Sequence, residues 1–164
     1  MKTNKLTKTV FIVNITIFFI ISTTLNSFSQ ESKKDYNEEK IESEILAKYA
    51  AFDGPIKNQT VELWDTYFLN SPNIGNVHNN GSEIGWQTVH DGSVEYFSKQ
   101  QEGIMKFYDI NIYIINAKLA WVDGKFKITQ PDGAEVRVGF YDSLIKTNDG
   151  WRVIVSVVNP IKSN

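Results

Sequence analysis

Proton transfer near neutral pH needs a histidine or a carboxylate retuned by its surroundings. The 164 residues contain two histidines, His78 and His90. Neither has a Ser or a carboxylate at a spacing that predicts contact, so both read as solvated or hydrogen-bonded surface residues. His78, Glu83 and His90 match no recognised ligand spacing, and the absence of Cys removes thiolate metal sites, iron–sulfur clusters and cysteine nucleophiles. No metal or cofactor is expected, and no residue is assigned a catalytic role. Among the carboxylates, Asp109 and Asp142 interrupt strand patterns, where a charge turned toward the core is costly. An exposed edge is the expected place for both. The other chemistry on offer is binding. Trp64, Tyr67, Trp86, Tyr108 and Trp121 suit a pocket for a hydrophobic or ring-bearing ligand, and Arg137, between Val136 and Val138, is a candidate anchor for an anionic group. Against this stand core packing for Trp64, Trp86 and Trp151 and a surface position for Arg137. The chain has no glycine-rich phosphate loop, nucleophile elbow or dinucleotide fingerprint.

These side chains must be positioned by one domain, since 164 residues hold a single core and not two. With 4 Trp, 7 Tyr and 10 Phe the chain is too rich in large apolar side chains to be disordered. Residues 1–29 differ in kind from the rest. Lys2, Lys5 and Lys8 precede an apolar stretch from Val10 to Ile21, and Ser27 and Ser29 place small residues before Gln30. This is the layout of a cleaved secretory signal peptide, too short in its apolar run for a spanning helix. The expectation is export to the periplasm or the extracellular space with no membrane attachment after cleavage, and the Lys/Asn/Ile-rich leader favours a bacterial source. Without Lys2, Lys5 and Lys8 the 17 basic residues fall to 14 against 19 acidic, a net charge of −5. Nucleic acid is therefore not an expected partner.

Residues 30–37 read as a flexible lead-in. Ile41, Ile45, Leu46, Tyr49 and Phe52 recur at helical spacing, with Glu44 and Lys48 placed for an i,i+4 pair, which predicts a helix over 38–53 ended by Gly54-Pro55. A second helix carries Val61, Trp64 and Phe68 behind an Asn58 or Thr60 cap. A short strand at 74–78 turns through Asn79-Asn80-Gly81, and Trp86, Val89, Ser93 and Phe97 mark a third helix over 86–99, weakened by Gly92. Four strands follow, at 107–115, 119–129, 136–146 and 151–158, separated by turn residues that include two Asp-Gly pairs. Hairpin turns of this kind predict an antiparallel meander, and helices first with strands after is the segregated α+β pattern.

In this order of elements, "VELWDTYFLNSPNIGNVHNNGSEIGW" at 61–86 and "LIKTNDGWRVIVSVV" at 144–158 resemble the NTF2-like superfamily, in its SnoaL-like and DUF4440-type branch. The likeness covers roughly residues 38–160. It implies a cone in which N-terminal helices pack on a curved antiparallel sheet around a pocket, and a homodimer formed through the sheet. Where many members carry a polar residue facing the cavity on the last strand, this chain reads Val155 and Val157, which argues against acid–base chemistry from that strand. The resemblance leaves three functions open: binding of a small apolar or aromatic molecule, a cofactor-independent lyase or isomerase using a pocket carboxylate and a Tyr, and a non-catalytic dimeric interaction module. For the second, Asp65, Asp91, Asp109, Asp142, Tyr49 and Tyr67 are the available residues.

Overall fold

The computed structural model describes residues 35–99 and 102–161, and the leader expected at 1–29 lies outside them. Helix α1 spans Glu38–Ala50. Asn37, within the expected lead-in, caps it: its Oδ1 accepts from Lys40 N at 2.9 Å, while Glu38 and Glu39 occupy the first turn, where the helix dipole favours acids. Ile41, Ile45 and Tyr49 are buried on one stripe and Leu46, off that stripe, is exposed. The expected Glu44–Lys48 pair does not form. Glu44 Oε2 instead accepts from Lys146 Nζ at 2.5 Å and Trp151 Nε1 at 3.1 Å, and Lys48 Nζ donates to the carbonyls of Thr66 and Tyr67. A pair on one helix contributes only a few tenths of a kcal/mol, roughly, so partners held rigidly by other elements win.

After β1 (Gly54–Pro55) and a 3-10 turn, helix α2 spans only Val61–Asp65, capped by Thr60. The expected helix stops there because Tyr67 and Phe68 are pulled into an extended segment: Val153 N donates to Tyr67 O at 2.8 Å and Leu69 N to Val153 O at 2.9 Å. The hairpin β2 (Gly75–His78) and β3 (Gly81–Ile84) leads into α3 (Trp86–Ser98). Strands β4 (Ile104–Asn116), β5 (Leu119–Thr129), β6 (Glu135–Thr147) and β7 (Gly150–Pro160) complete one curved sheet of order β1-β4-β5-β6-β7-β2-β3.

The four long strands pair antiparallel as the turns require, but the sheet as a whole is mixed, because β2 runs parallel to β7, with Gly75 opposite Val155 and Val77 opposite Val157. The segment at Phe68 already bridges Val153 in the parallel sense. The chain continues along β7 in that direction instead of reversing.

Of three register slips, one lies at the β4–β5 turn between Ile114 and Asn116, and the other two bend and re-phase the sheet. In β4 the register slips between Tyr108 and Asn111, and Asp109 takes φ 51°, a conformation that Asp tolerates better than most residues. Gly124 faces this bulge on β5, and a Cβ there would lie 2.8 Å from the Phe140 ring, so only glycine lets the ring fill the bend. The second slip, between Ser143 and Leu144 against β7, pairs Leu144 with Val153 and Ser143 with Val155. It inserts Ile154 as an extra residue and inverts the alternation beyond it. Val155 and Val157 therefore face away from the helices, and the inward positions fall to Ser156 and Val158. This corrects the expectation of a polar-free last strand: a polar residue does face the interior.

Candidate functional site

Between the helices and the inner face of the sheet lies a cavity of about 450 Å³. Strands β4 to β6 wall it with Met105, Phe107, Phe126, Ile128, Val138 and Phe140, and β7 adds Ser156 and Val158. Opposite them stand Trp64, Tyr67 and Phe68, then Val89, Ser93, Tyr96 and Phe97 of α3. The β2–β3 hairpin closes one side with Asn76, His78 and Glu83.

Trp64 is held by a polar relay, since its Nε1 donates to Gln59 Oε1 at 3.2 Å and Gln59 Nε2 donates to Phe52 O at 2.6 Å. Its ring then packs on Phe52, Tyr67 and Phe97 at centroid distances of 5.0, 5.4 and 6.1 Å. Buried Gln59 thus satisfies its own polar atoms while fixing the orientation of a cavity wall.

Behind Tyr67 lies Asp142, which is buried and not on an exposed edge. Its Oδ2 accepts hydrogen bonds from the hydroxyls of both Tyr49, at 2.8 Å, and Tyr67. Oδ1 is buried without a hydrogen-bond partner of proper geometry, with Ser156 as the cross-strand neighbour. Burial raises the Asp142 pKa against the opposing hydroxyls of Tyr67, Ser156 and Tyr49. Burial, reinforced by the Asp142 charge, likewise pushes the phenols of Tyr49 and Tyr67 well above their ordinary range. Lys48 Nζ sits 4.3 Å from the Tyr67 ring centroid and bonds the Tyr67 carbonyl at 3.0 Å. Burial first, and the charge of Arg152 second, lower its pKa to about 7.

Asp109, the other strand aspartate, is exposed at the bulge and accepts from Lys125 Nζ at 3.0 Å. Both histidines have carboxylate partners that linear spacing did not indicate. His90 Nδ1 lies 2.8 Å from Asp65 Oδ1, brought there by packing of α2 on α3, and its ring stacks on Trp86 at 4.7 Å, outside the cavity lining. His78 Nε2 lies 3.9 Å from Glu83 Oε1. A signal for this second pairing was present, because a two-residue turn at Asn79-Asn80 sets Asn76 opposite Glu83 and so brings Glu83 close to His78.

Of the six pocket candidates, Trp64 and Tyr67 line the cavity, whereas Trp86 does not and stacks on His90 instead. The other three also correct the sequence reading. Tyr108 follows inward-facing Phe107 and so points to the outer face, Trp121 is exposed there, and Arg137 is exposed beside Glu135, to which its Nη2 donates at 2.7 Å. Period-two alternation puts neighbours of inward residues on the other side. Among the described residues no group of three or more His, Asp or Glu is placed to hold a metal ion.

No protein-family model matches the chain, and no curated protein matches it in sequence. Solved structures do. An NTF-2-like protein of unknown function from Shewanella oneidensis superposes with a TM-score of 0.61 at 15% identity, over 74% of this chain and 97% of that one. An NTF2-like superfamily protein from Salmonella enterica gives 0.57 at 17% identity, over 77% and 92%. A ketosteroid isomerase-like protein from Erwinia carotovora atroseptica gives 0.57 at 15%, over 78% and 100%. At such identities the likeness carries architecture alone, and on that architecture the chain is a protein of the NTF2-like α+β fold.

Proposed function

We propose that the cavity binds a small apolar or aromatic molecule. The observation that carries this reading is the open volume of about 450 Å³ between aromatic walls. A solvent-open cleft of this size between aromatic walls falls within the roughly 300 to 1,000 Å³ of ligand pockets, which are lined mostly by hydrophobic and aromatic side chains with a few polar groups. Calorimetric titration of indole and naphthalene into the protein tests it, beside Ser93→Phe, which fills the cavity from α3, and Trp64→Ala, which removes a wall. Binding to wild type that Ser93→Phe abolishes without loss of fold is the expected result. Wild-type protein that binds neither compound refutes the reading.

A second reading, a cofactor-independent isomerase or lyase, is favoured by Tyr67. This phenol lines the cavity while bonded to a buried carboxyl of raised pKa. In its protonated form, which burial favours, Asp142 donates to the Tyr67 oxygen and frees the Tyr67 hydrogen for a developing oxyanion, and Glu83 supplies a carboxylate on the cavity wall. Deuterium exchange at the carbon beside the carbonyl of tetralone would detect the proton transfer. No acceleration over buffer, or the same acceleration with Tyr67→Phe, removes this reading.

We propose further that residues 1–29 direct export and that the outer sheet face joins two copies. Exposed Tyr113, Trp121, Tyr141 and Val155 line a groove of about 210 Å³ there, which supports the second proposal. Intact mass of the exported protein and sedimentation at micromolar concentration test the two. A product retaining residues 1–29 refutes the first, and a strict monomer refutes the second.

A further inference from the structure

The cavity has a charge preference as well as a shape. Among the described residues that line it none is Lys or Arg, and Glu83 is the one carboxylate. That carboxylate is held in place: Asn76 Nδ2 donates to Oε2 at 2.7 Å, which leaves Oε1 without a hydrogen-bond donor among the described residues. His78 Nε2, at 3.9 Å, is too far to hydrogen-bond to it. Oε1 lies against α3 at Gly92, where a Cβ would come within 2.8 Å of it. A glycine inside a helix costs stability, and here it opens the space in which the acid rests. Four residues on, at the same face of α3, Tyr96 turns its side chain into the cavity, with Phe97 beside it and Trp64 packed on Phe97.

A fixed carboxylate with a free oxygen, next to aromatic rings and with no Lys or Arg in competition, is an arrangement that recognises an ammonium group. The acid supplies a charge-assisted hydrogen bond and the ring faces supply cation–π attraction. An anionic ligand would meet Glu83 with no Lys or Arg among the described lining residues to offset the repulsion, and with only His78, 3.9 Å from Oε1, as a basic neighbour. We propose that the ligand of this cavity is a protonated amine on an aromatic body, with its ammonium on Glu83 and its ring among Phe107, Phe126 and Phe140. This rests on the binding reading given above and names the class of ligand. The side chain of Glu83 is 28% exposed, so solvent screens the pair and the preference is moderate.

The test uses three probes of one shape: tryptamine, tryptophol and indoleacetate, titrated calorimetrically. Wild type should bind tryptamine about tenfold more tightly than tryptophol, with indoleacetate weakest. Glu83→Gln should bring tryptamine down to the level of tryptophol and leave tryptophol unchanged, and Gly92→Ala, which displaces the carboxylate, should do the same in part. Equal binding of amine and alcohol by wild type, or a preference for indoleacetate, overturns the inference and leaves the cavity reading standing. Binding of none of the three overturns both. Should Glu83→Gln fail to fold, the ratio of amine to alcohol in wild type decides by itself.

Discussion

Phe140 is 1% exposed, and its chain neighbour Tyr141, on the opposite side of the same strand, is 62% exposed. The contrast repeats along the sheet. Phe107, Phe126, Phe140, Asp142 and Ser156 face the helices, while Tyr113, Trp121, Tyr141, Val155 and Val157 face outward. Both sides carry large apolar side chains, so hydrophobicity alone does not distinguish them. The difference is what covers each side. Helix α1 and the segment after α2 lie over the inner face and close off even a carboxylate and two phenols, whereas no described element lies over the outer groove. Alternation sorts side chains into two sets, and the covering elements decide which set becomes a core.

The sharpest way to break this comparison is to truncate the two neighbours. Phe140→Ala should lower stability to urea by about 3 to 5 kcal/mol, because the ring fills the bend opposite Gly124. Tyr141→Ala should cost less than about 1 kcal/mol in a monomer, while shifting the sedimentation equilibrium toward single chains. Equal losses of stability would abolish the distinction between the faces.

The two strand aspartates sharpen it next. Asp142→Ala removes the acceptor of two buried phenols and should cost about 2 to 4 kcal/mol, with Asp142→Asn, which keeps an acceptor, losing less. Asp109→Asn, on an exposed ion pair, should stay within about 0.5 kcal/mol. Chemical denaturation of the three variants side by side is the measurement, and a cost at Asp109 matching that at Asp142 would count against the burial argument.

The smallest effect concerns Lys48, half-buried at the end of the inner cluster. Its pKa is about 7 in the fold against 10.5 in the free side chain. Between those values the unfolded chain holds the proton and the folded chain does not, so stability should rise as pH increases from 7 toward roughly 9. Above the ordinary phenol range the raised pKa values of Tyr49 and Tyr67 act in the opposite sense, because the folded chain then keeps protons that the unfolded one loses. Urea midpoints measured between these pH values should climb in wild type and flatten in Lys48→Met. A wild-type midpoint that falls over this window would show that Lys48 stays charged in the fold.

Much of this architecture is written locally. The stripe Ile41, Ile45, Tyr49 and Phe52 needs only helical period, strand β5 occupies the predicted 119–129, and the Asn-Gly and Asp-Gly turns fix hairpins within a few residues. What tertiary structure alone decided has one physical origin: local spacing defines alternation but not its phase against the core, nor which distant element covers a face. One inserted residue in β7 exchanged the roles of Val155 and Ser156, and a parallel neighbour arriving from Phe68 made the sheet mixed. The same cause placed Tyr108, Trp121 and Arg137 outside. Asp142 became a buried acid because Tyr49 and Tyr67, 93 and 75 residues away in sequence, offered it hydroxyls. Nothing near Asp142 in the chain encodes that encounter, since it exists only once α1 and the segment after α2 have closed over the sheet.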